Sequence, residues 1–214
     1  MLEIVLIRHG ETAWNAERRL QGHIDIGLNA EGERQVAALG QALADEQFDA
    51  IFVSDLQRAR QTAEAVAATR ATPITIDAGL RERCYGAFEG MLYDEIQPRF
   101  PEAHAAWMAG DIDARFPSGE FEAETLNEFH TRANNTIRKI ISSGSFSKIA
   151  IVSHGGVLDC VFRAVNDVHI GATREFDVLN ASINRLHWDG VTLQITEWGD
   201  VAHLPAPALD ELAR

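Results

Sequence analysis

The chain has 214 residues, enough for one domain with a sizeable hydrophobic core, and its 46% hydrophobic and 24% charged content is typical of soluble globular proteins. No apolar run approaches the length that crosses a bilayer, and the short N-terminal apolar stretch is unlike a signal peptide, so we expect a cytoplasmic protein without a membrane partner. The formal net charge of −13 argues against a nucleic-acid partner, because the phosphate backbone requires a basic face.

Four short apolar runs predict the strands of a central sheet. They cover residues 3–7, 50–53, 74–76 and 149–153, and helical patterns lie between them. This alternation predicts an α/β fold, a three-layer sandwich in which helices flank a mostly parallel sheet. We expect one domain over residues 1–214.

Local signals place two helices along the first half of the chain. Asn29 is predicted to cap the first helix, which continues through Val36 and Leu43. A second helix is predicted after Ser54, with Ser54 or Asp55 as its cap and an alanine-rich body that packs closely on the sheet.

The strand signal disappears between about residues 84 and 147. Helical patterns at 92–109 and 124–141 predict a helical cap insertion there, over the active site. Runs at 183–188 and 191–198 flank Asp189-Gly190 and predict a hairpin that supplies an antiparallel edge to the sheet. The tail, residues 201–214, is expected to lie loosely on the core.

The two cysteines, Cys84 and Cys160, lie far apart and form no Cys-x-x-Cys pair. This spacing predicts reduced thiols rather than a disulfide framework or a zinc site.

The first strand ends in Arg8-His9-Gly10-Glu11-Thr12. Ligands bind at the carboxyl ends of the strands in open α/β sheets, so Arg8 and His9 lie where a ligand is expected. Arginine matches phosphate oxygens with a fixed fork of donors, and a neutral histidine has a lone pair that can attack phosphorus. The motif predicts a phosphoryl-transfer site, although each residue alone is equally compatible with a structural role.

A second strand ends in the same way, at Ser153-His154-Gly155. Two such turns on neighbouring parallel strands would lie side by side, so we expect His9 and His154 to face one phosphate. Arg58, in the first turn of the helix after Ser54, can reach the same place, whereas Arg60 is expected to face elsewhere on that helix.

Cleavage of a phosphate ester also requires a proton for the leaving alkoxide. Glu82 and Glu89, which follow the third strand, both qualify on residue type as the acid, provided that partial burial raises the pKa. Because the whole chain is acidic, the arginines near the phosphate must create a locally basic pocket.

These four motifs resemble those of the histidine phosphatase superfamily, in its cofactor-dependent phosphoglycerate-mutase-like branch, and the resemblance covers nearly the whole chain. It implies that His9 is the nucleophile and forms a phosphohistidine that water hydrolyses. It implies that Arg8, Arg58 and His154 hold the phosphate and that Glu82 is the acid.

The resemblance extends to residues that line the phosphate pocket without covalent chemistry. They are Asn15, Gln21, Gly22 and Gly155, and a C-terminal histidine, His203, resembles one that lies near the substrate in several phosphatases. The aromatic residues Phe88, Trp107, Phe116 and Phe121 are expected to contribute to the lining from the insertion.

Members of this branch either hydrolyse phosphomonoesters or move phosphate within phosphoglycerate. Mutases of this branch resemble one another in an Arg-Arg pair in the insertion and a histidine after Glu-Arg. This chain has no Arg-Arg pair in its insertion, and Cys84 stands at the histidine position. Both departures favour a phosphatase acting on a small phosphorylated metabolite, with a mutase as the alternative and a non-catalytic phosphate-binding module as a third reading.

The resemblance implies no metal, and a 2,3-bisphosphoglycerate cofactor only for a mutase. It implies a small phosphorylated substrate, a pocket that accepts phosphate or sulfate, and a homodimer.

Overall fold

The structure is a computed structural model that describes residues 1–68 and 71–210. Six strands form one sheet in the order β3-β2-β4-β1-β5-β6. The first four strands of that order are parallel, and the last two form an antiparallel hairpin beside β1. The predicted α/β class, with a mostly parallel sheet and an antiparallel edge, is confirmed.

Seven helices accompany the strands in the part of the chain that the structure describes. The strands are β1 (Leu2–Arg8), β2 (Ala50–Val53), β3 (Ile74–Ile76), β4 (Lys148–Ser153), β5 (Ile183–Trp188) and β6 (Leu193–Asp200). The helices are α1 (Ala13–Glu17), α2 (Ala30–Ala42), α3 (Gln57–Ala67), α4 (Tyr93–Arg99), α5 (Pro101–Met108), α6 (Leu126–Ile141) and α7 (Gly155–Val165). Short 3₁₀ turns lie at Ala78–Leu80 and Gly86–Phe88.

Alternate residues of the central strands enter two different cores, as the two-residue period of a strand requires. In β1, Ile4 and Leu6 pack toward α6 and α7, whereas Val5 and Ile7 pack toward α2 and α3. The sheet is therefore covered on both faces, which explains why its central strands read as continuous apolar runs.

A third apolar cluster lies apart from the sheet, in the cap segment (residues 84–125). Phe88 and Phe116 stack there with ring centroids 4.5 Å apart, and Trp107 packs against them. Phe100 separates α4 from α5, because Pro101 begins the second helix. The predicted insertion, about 84–147, also contains α6, which belongs to the core layer on the sheet.

The predicted helix caps have different outcomes. Asn29 caps α2 through a hydrogen bond from the Gly32 amide to its side chain, 2.7 Å, as predicted. The expected cap of α3 is wrong, because that helix begins after Leu56. Ser54 instead bonds to His154, and Asp55 pairs with Arg81.

Two C-terminal expectations also differ from the structure. The hairpin loop spans residues 189–192, because the Asp189 side chain accepts from the Val191 and Thr192 amides and delays β6 to Leu193. The tail is held at Asp210, which forms a bidentate ion pair with Arg174 at 2.6 and 2.8 Å. Residues 211–214 of the predicted tail lie outside the described residues.

Within residues 1–68 and 71–210, no helix has the length and apolarity required for a membrane span.

The close packing of α2 on α3 gives a stability test. A Cβ on Gly40 would lie 2.6 Å from the Ala65 carbonyl oxygen, so Gly40→Ala should lower the free energy of unfolding by about 1 kcal/mol or more, despite the better helix propensity of alanine. Urea denaturation measures the change. The exposed neighbour offers a control, Gln41→Ala, which should stay within about 0.5 kcal/mol of the parent. Equal stability of Gly40→Ala and the parent would contradict this packing.

Candidate active site

The two strand ends that carry Arg-His and Ser-His lie next to each other. β1 pairs in parallel with β4, and Arg8 lies opposite Ser153 in the register. His9 and His154 follow these positions directly, and their ring centroids are 5.1 Å apart. The prediction that the two His-Gly turns lie side by side is confirmed.

The His9 ring is held in one orientation and one tautomer. Its Nδ1 lies 2.7 Å from the Gly10 carbonyl oxygen, which can only accept a hydrogen bond. Nδ1 therefore carries the proton, and Nε2 keeps its lone pair. The His9 carbonyl in turn accepts from the Asn180 side chain and the Ala181 amide, both at 3.1 Å.

The surroundings of the two histidines favour their neutral forms. Burial lowers the pKa of His9 well below its ordinary value, and the charges of Arg58 and Arg8 lower it further. Burial and Arg58 likewise lower the pKa of His154. The positive charge at this site therefore comes from the arginines, and a neutral His9 can act as a base or a nucleophile.

Both arginines are buried, each with only 1% of its surface exposed. Arg58 donates to the carbonyl oxygens of Gly22 at 2.8 Å and Ile24 at 3.1 Å, and Arg8 donates to that of Val178. Burial lowers the pKa of Arg58 to about 10, which still leaves it charged at neutral pH. Two buried cations beside two neutral histidines form a site for an anion.

A cavity of about 330 Å³, including its mouth, opens above these groups. Its lining consists of Arg8, His9, Arg19, Leu20, Gln21, Gly22, Arg58, Glu82, Tyr85 and Tyr93. Six of the ten residues are predicted from the sequence. The other four, Arg19, Leu20, Tyr85 and Tyr93, are missed, although Tyr85 follows Glu82 closely enough in the sequence to be suspected.

Gly22 brings the backbone close to the site. Its φ of +55° favours glycine, and a Cβ there would lie 2.0 Å from a carboxylate oxygen of Glu89. A side chain at position 22 would collide with Glu89 and displace the carbonyl oxygen that binds Arg58. The neighbouring Gln21 is also buried, and its amide oxygen has no hydrogen-bond partner among the described residues.

Of the two candidate acids, only Glu82 lines the cavity. Its carboxylate oxygens accept from the Arg83 amide at 2.7 Å and the Gly156 amide at 2.9 Å. Burial nevertheless raises the pKa of Glu82, which favours a protonated carboxyl that can donate.

Glu89 lies outside the cavity lining and connects two loops. One of its carboxylate oxygens accepts from the His23 amide at 3.0 Å and the Tyr85 amide at 2.8 Å. It therefore ties the loop around Gly22 to the loop that carries Glu82, and of these two carboxylates only that of Glu82 faces the cavity.

Arg132, on α6, fixes the loop that carries Glu82. It donates to the carbonyl oxygens of Gly79, Arg81 and Glu82, each at 3.0 Å, and to both carboxylate oxygens of Glu124 at 2.7 Å. Sequence reasoning missed this role, because the partners of Arg132 on the Glu82 loop are backbone atoms about 50 positions away.

Four of the ten predicted catalytic or binding residues are not among those that line the cavity, and neither are the four aromatic residues expected from the insertion, Phe88, Trp107, Phe116 and Phe121. His154 is fully buried next to His9 and bonds to Ser54 at 2.8 Å, and Gly155 begins α7. Asn15 is buried in a capping box with Thr12. His203 is half-buried, and neither ring nitrogen has a hydrogen-bond partner among the described residues.

Both cysteines are buried free thiols, in agreement with the prediction that they form no disulfide. Burial raises the pKa of the Cys84 thiol to about 12, so it carries no charge at neutral pH. In the described ranges, no group of three or more His, Cys, Asp or Glu side chains is placed to hold a metal ion.

Comparison with known proteins places this geometry in a family. The chain is 36% identical over 205 residues to phosphoglycerate mutase-like protein 4 of Arabidopsis thaliana, covering 94% of this chain and 86% of the relative. Its fold matches Bacillus stearothermophilus YhfR with a TM-score of 0.87 and 32% identity, over 95% and 99% of the two chains. It matches the α-ribazole phosphatase of Shigella flexneri with a TM-score of 0.83 and 26% identity, over 92% and 96%.

A family model covers almost the same span. The description of that family is histidine phosphatase superfamily (branch 1), and its model matches residues 4–201, which include both strand ends and the whole cavity. The chain therefore belongs to the histidine phosphatase superfamily.

Proposed function

We propose that the protein is a phosphomonoesterase that hydrolyses a small phosphorylated metabolite through a phosphohistidine on His9. The observation that carries the proposal is the arrangement of the His9 ring. Its Nδ1 is bound to the Gly10 carbonyl, which leaves the Nε2 lone pair free, and His9 lines the same cavity as the two buried arginines. A neutral imidazole beside two fixed cations is the combination that nucleophilic attack on a phosphate anion requires.

In the first step the Nε2 lone pair of His9 forms a bond to phosphorus while the bond from phosphorus to the ester oxygen breaks. Arg8 and Arg58 hold the phosphate oxygens and stabilise the charge that spreads over them in the transition state. His154 is not among the residues that line the cavity, but its ring lies beside that of His9, so we place it at the phosphate as well. Because both arginines are already fixed by carbonyl oxygens, little reorganisation accompanies the step.

Glu82 supplies the proton in this step. As the ester oxygen leaves with the bonding pair, the protonated carboxyl of Glu82 donates to it and the alcohol departs. In the second step the resulting carboxylate takes a proton from water, which attacks phosphorus and releases phosphate from His9.

A phosphoglycerate mutase is the second candidate, and the name of the Arabidopsis relative favours it. The cap segment argues for hydrolysis. Its two arginines, Arg99 and Arg115, are exposed, and Arg115 pairs with Glu128 at 2.5 Å instead of entering the cavity. Cys84, at the histidine position of mutases, is only 2% exposed.

Phosphorus NMR separates the two reactions. The protein, kept in a metal chelator, is incubated with 3-phosphoglycerate, a trace of 2,3-bisphosphoglycerate and a set of common phosphomonoesters. We expect inorganic phosphate from at least one ester. Conversion of 3-phosphoglycerate to 2-phosphoglycerate without release of phosphate would instead establish the mutase.

The role of Glu82 predicts a dependence on the leaving group. Glu82→Gln should slow hydrolysis of alkyl phosphates by about 10²- to 10⁴-fold and that of nitrophenyl phosphate much less, because only the poor leaving group requires a proton. The matched variant Glu89→Gln, which changes a carboxylate outside the cavity, should show no such difference between the two esters. Equal slowing of both esters by Glu82→Gln would remove Glu82 from the role of acid.

The lowered pKa of His9 predicts the protonation state of the nucleophile. A pKa below the ordinary value means that the neutral form persists to lower pH, so at pH 6.5, where an ordinary histidine is half protonated, His9 should be neutral with its proton on Nδ1. Long-range ¹H–¹⁵N NMR of histidine-labelled protein reports both properties, and His9→Gln assigns the signal. A His9 signal that titrates at about pH 6.5 or above would contradict the electrostatics of the site.

A further inference from the structure

A second cavity, about 630 Å³ with its mouth, adjoins the first on the side of Glu82. Tyr85 and Tyr93 line both cavities. Gly156 lines the second one, and its amide donates to the Glu82 carboxylate at 2.9 Å. Glu82 must reach the oxygen that leaves phosphorus, so the group attached to that oxygen extends toward this second cavity.

One face of α7 forms a wall of the second cavity. Gly156, Asp159 and Arg163 all line it, and their spacing of three and seven residues places them on the same face of the helix. Because an α-helix rises 1.5 Å per residue, Arg163 lies about 10 Å along the helix axis from the amide that contacts Glu82. The wall thus runs from the acid to a cation at its far end.

Aromatic rings contribute another part of the lining. Tyr93 and Trp107 stack with centroids 6.0 Å apart and an interplanar angle of 30°. The Arg83 guanidinium lies over the Tyr85 ring, 5.4 Å from its centroid. Flat apolar surfaces of this kind favour a ring or another flat apolar group in the ligand.

The charges of the second cavity are unusual for a chain with a net charge of −13. Three arginines line it against one carboxylate, Asp159. Arg174 is bidentate to Asp210, but Arg163 uses only Nε, to Asp159 at 2.7 Å, and Nη1, to the His169 carbonyl at 2.9 Å. Its Nη2 donates to no other described residue, although the side chain is only 4% exposed. This nitrogen is a spare donor for an anionic ligand.

We propose that the second cavity binds the leaving group and selects phosphomonoesters whose alcohol contains a flat or ring-shaped apolar part and ends in a carboxylate. This proposal rests on the proposed function, because it places the leaving group beside Glu82. Arg163 is the residue that recognises the distal carboxylate, and Asp159 partly neutralises the positive charge of Arg163. The substrate is thus anionic at both ends.

Binding of non-hydrolysable analogues tests the proposal without catalysis. The probes are benzylphosphonate and 4-(phosphonomethyl)benzoate, which differ only in the distal carboxylate, and calorimetry gives the two dissociation constants. We expect the carboxylate to tighten binding by about 10-fold, as one charge-assisted hydrogen bond can provide.

Two variants, one that removes a positive charge and one that removes a negative charge, separate recognition of the carboxylate from structural damage. Arg163→Gln should bring the ratio of the two dissociation constants to about 1, whereas Asp159→Asn should raise it, because the repelling carboxylate is gone. Loss of the ion pair between them is common to both variants, so a merely structural role would move the ratio in the same direction in each. Arg60→Gln, exposed on α3, makes the same change in net charge and should leave the ratio unchanged.

The proposal is overturned if the wild-type ratio is about 1 or if Arg163→Gln leaves it unchanged. Its failure is distinguishable from that of the proposed function, because turnover of benzyl phosphate and 4-carboxybenzyl phosphate is measured in parallel. Phosphate release from both at equal kcat/KM would retain the phosphatase and remove the specificity. A 10-fold binding preference with no turnover of any ester would retain the subsite and remove the phosphatase.

Discussion

The buried pair Arg8 and Arg58 is the feature on which the rest of the site depends. Burying a cation is unfavourable unless hydrogen bonds or opposite charges compensate, and both guanidinium groups are almost fully excluded from solvent. Backbone carbonyl oxygens compensate part of this cost and fix the two side chains, while the lowered pKa of Arg58 shows that its positive charge remains incompletely balanced. The pocket is consequently complementary to an anion, within a chain whose overall charge is strongly negative.

The positive charge of the two arginines also affects the protonation of the neighbouring side chains, His9 and Glu82. It adds to burial in keeping His9 neutral, and it opposes the burial that raises the pKa of Glu82. Burial and the arginine charges therefore act together at His9 and against each other at Glu82. Arg132 and Glu89 hold the loop that carries Glu82 by bonding it to neighbouring segments.

The sequence was informative wherever chemistry follows directly from a strand end. His9, Arg58 and Glu82 are all predicted to lie at the site and all line the cavity. The parallel pairing of β1 with β4 also brings the His9 and His154 turns together, as the sheet topology requires. What it missed depends on contacts between distant segments. Tyr93 enters the cavity because the cap segment folds back on it, and the cap of α3 is wrong because tertiary partners occupy Ser54 and Asp55. The roles of all the predicted site residues remain predictions, and the side chains of Asn15 and His203 do not line the cavity.

Trapping the protein during turnover of a ³²P-labelled phosphomonoester shows most directly whether phosphate passes through His9. We expect an acid-labile, base-stable phosphoenzyme that forms and decays as fast as turnover, with the phosphate located by mass spectrometry on the peptide that contains His9. The variant His9→Ala should fold normally, form no phosphoenzyme and release no phosphate. Turnover without a phosphoenzyme, or hydrolysis by His9→Ala near the wild-type rate, would show that phosphate does not pass through His9.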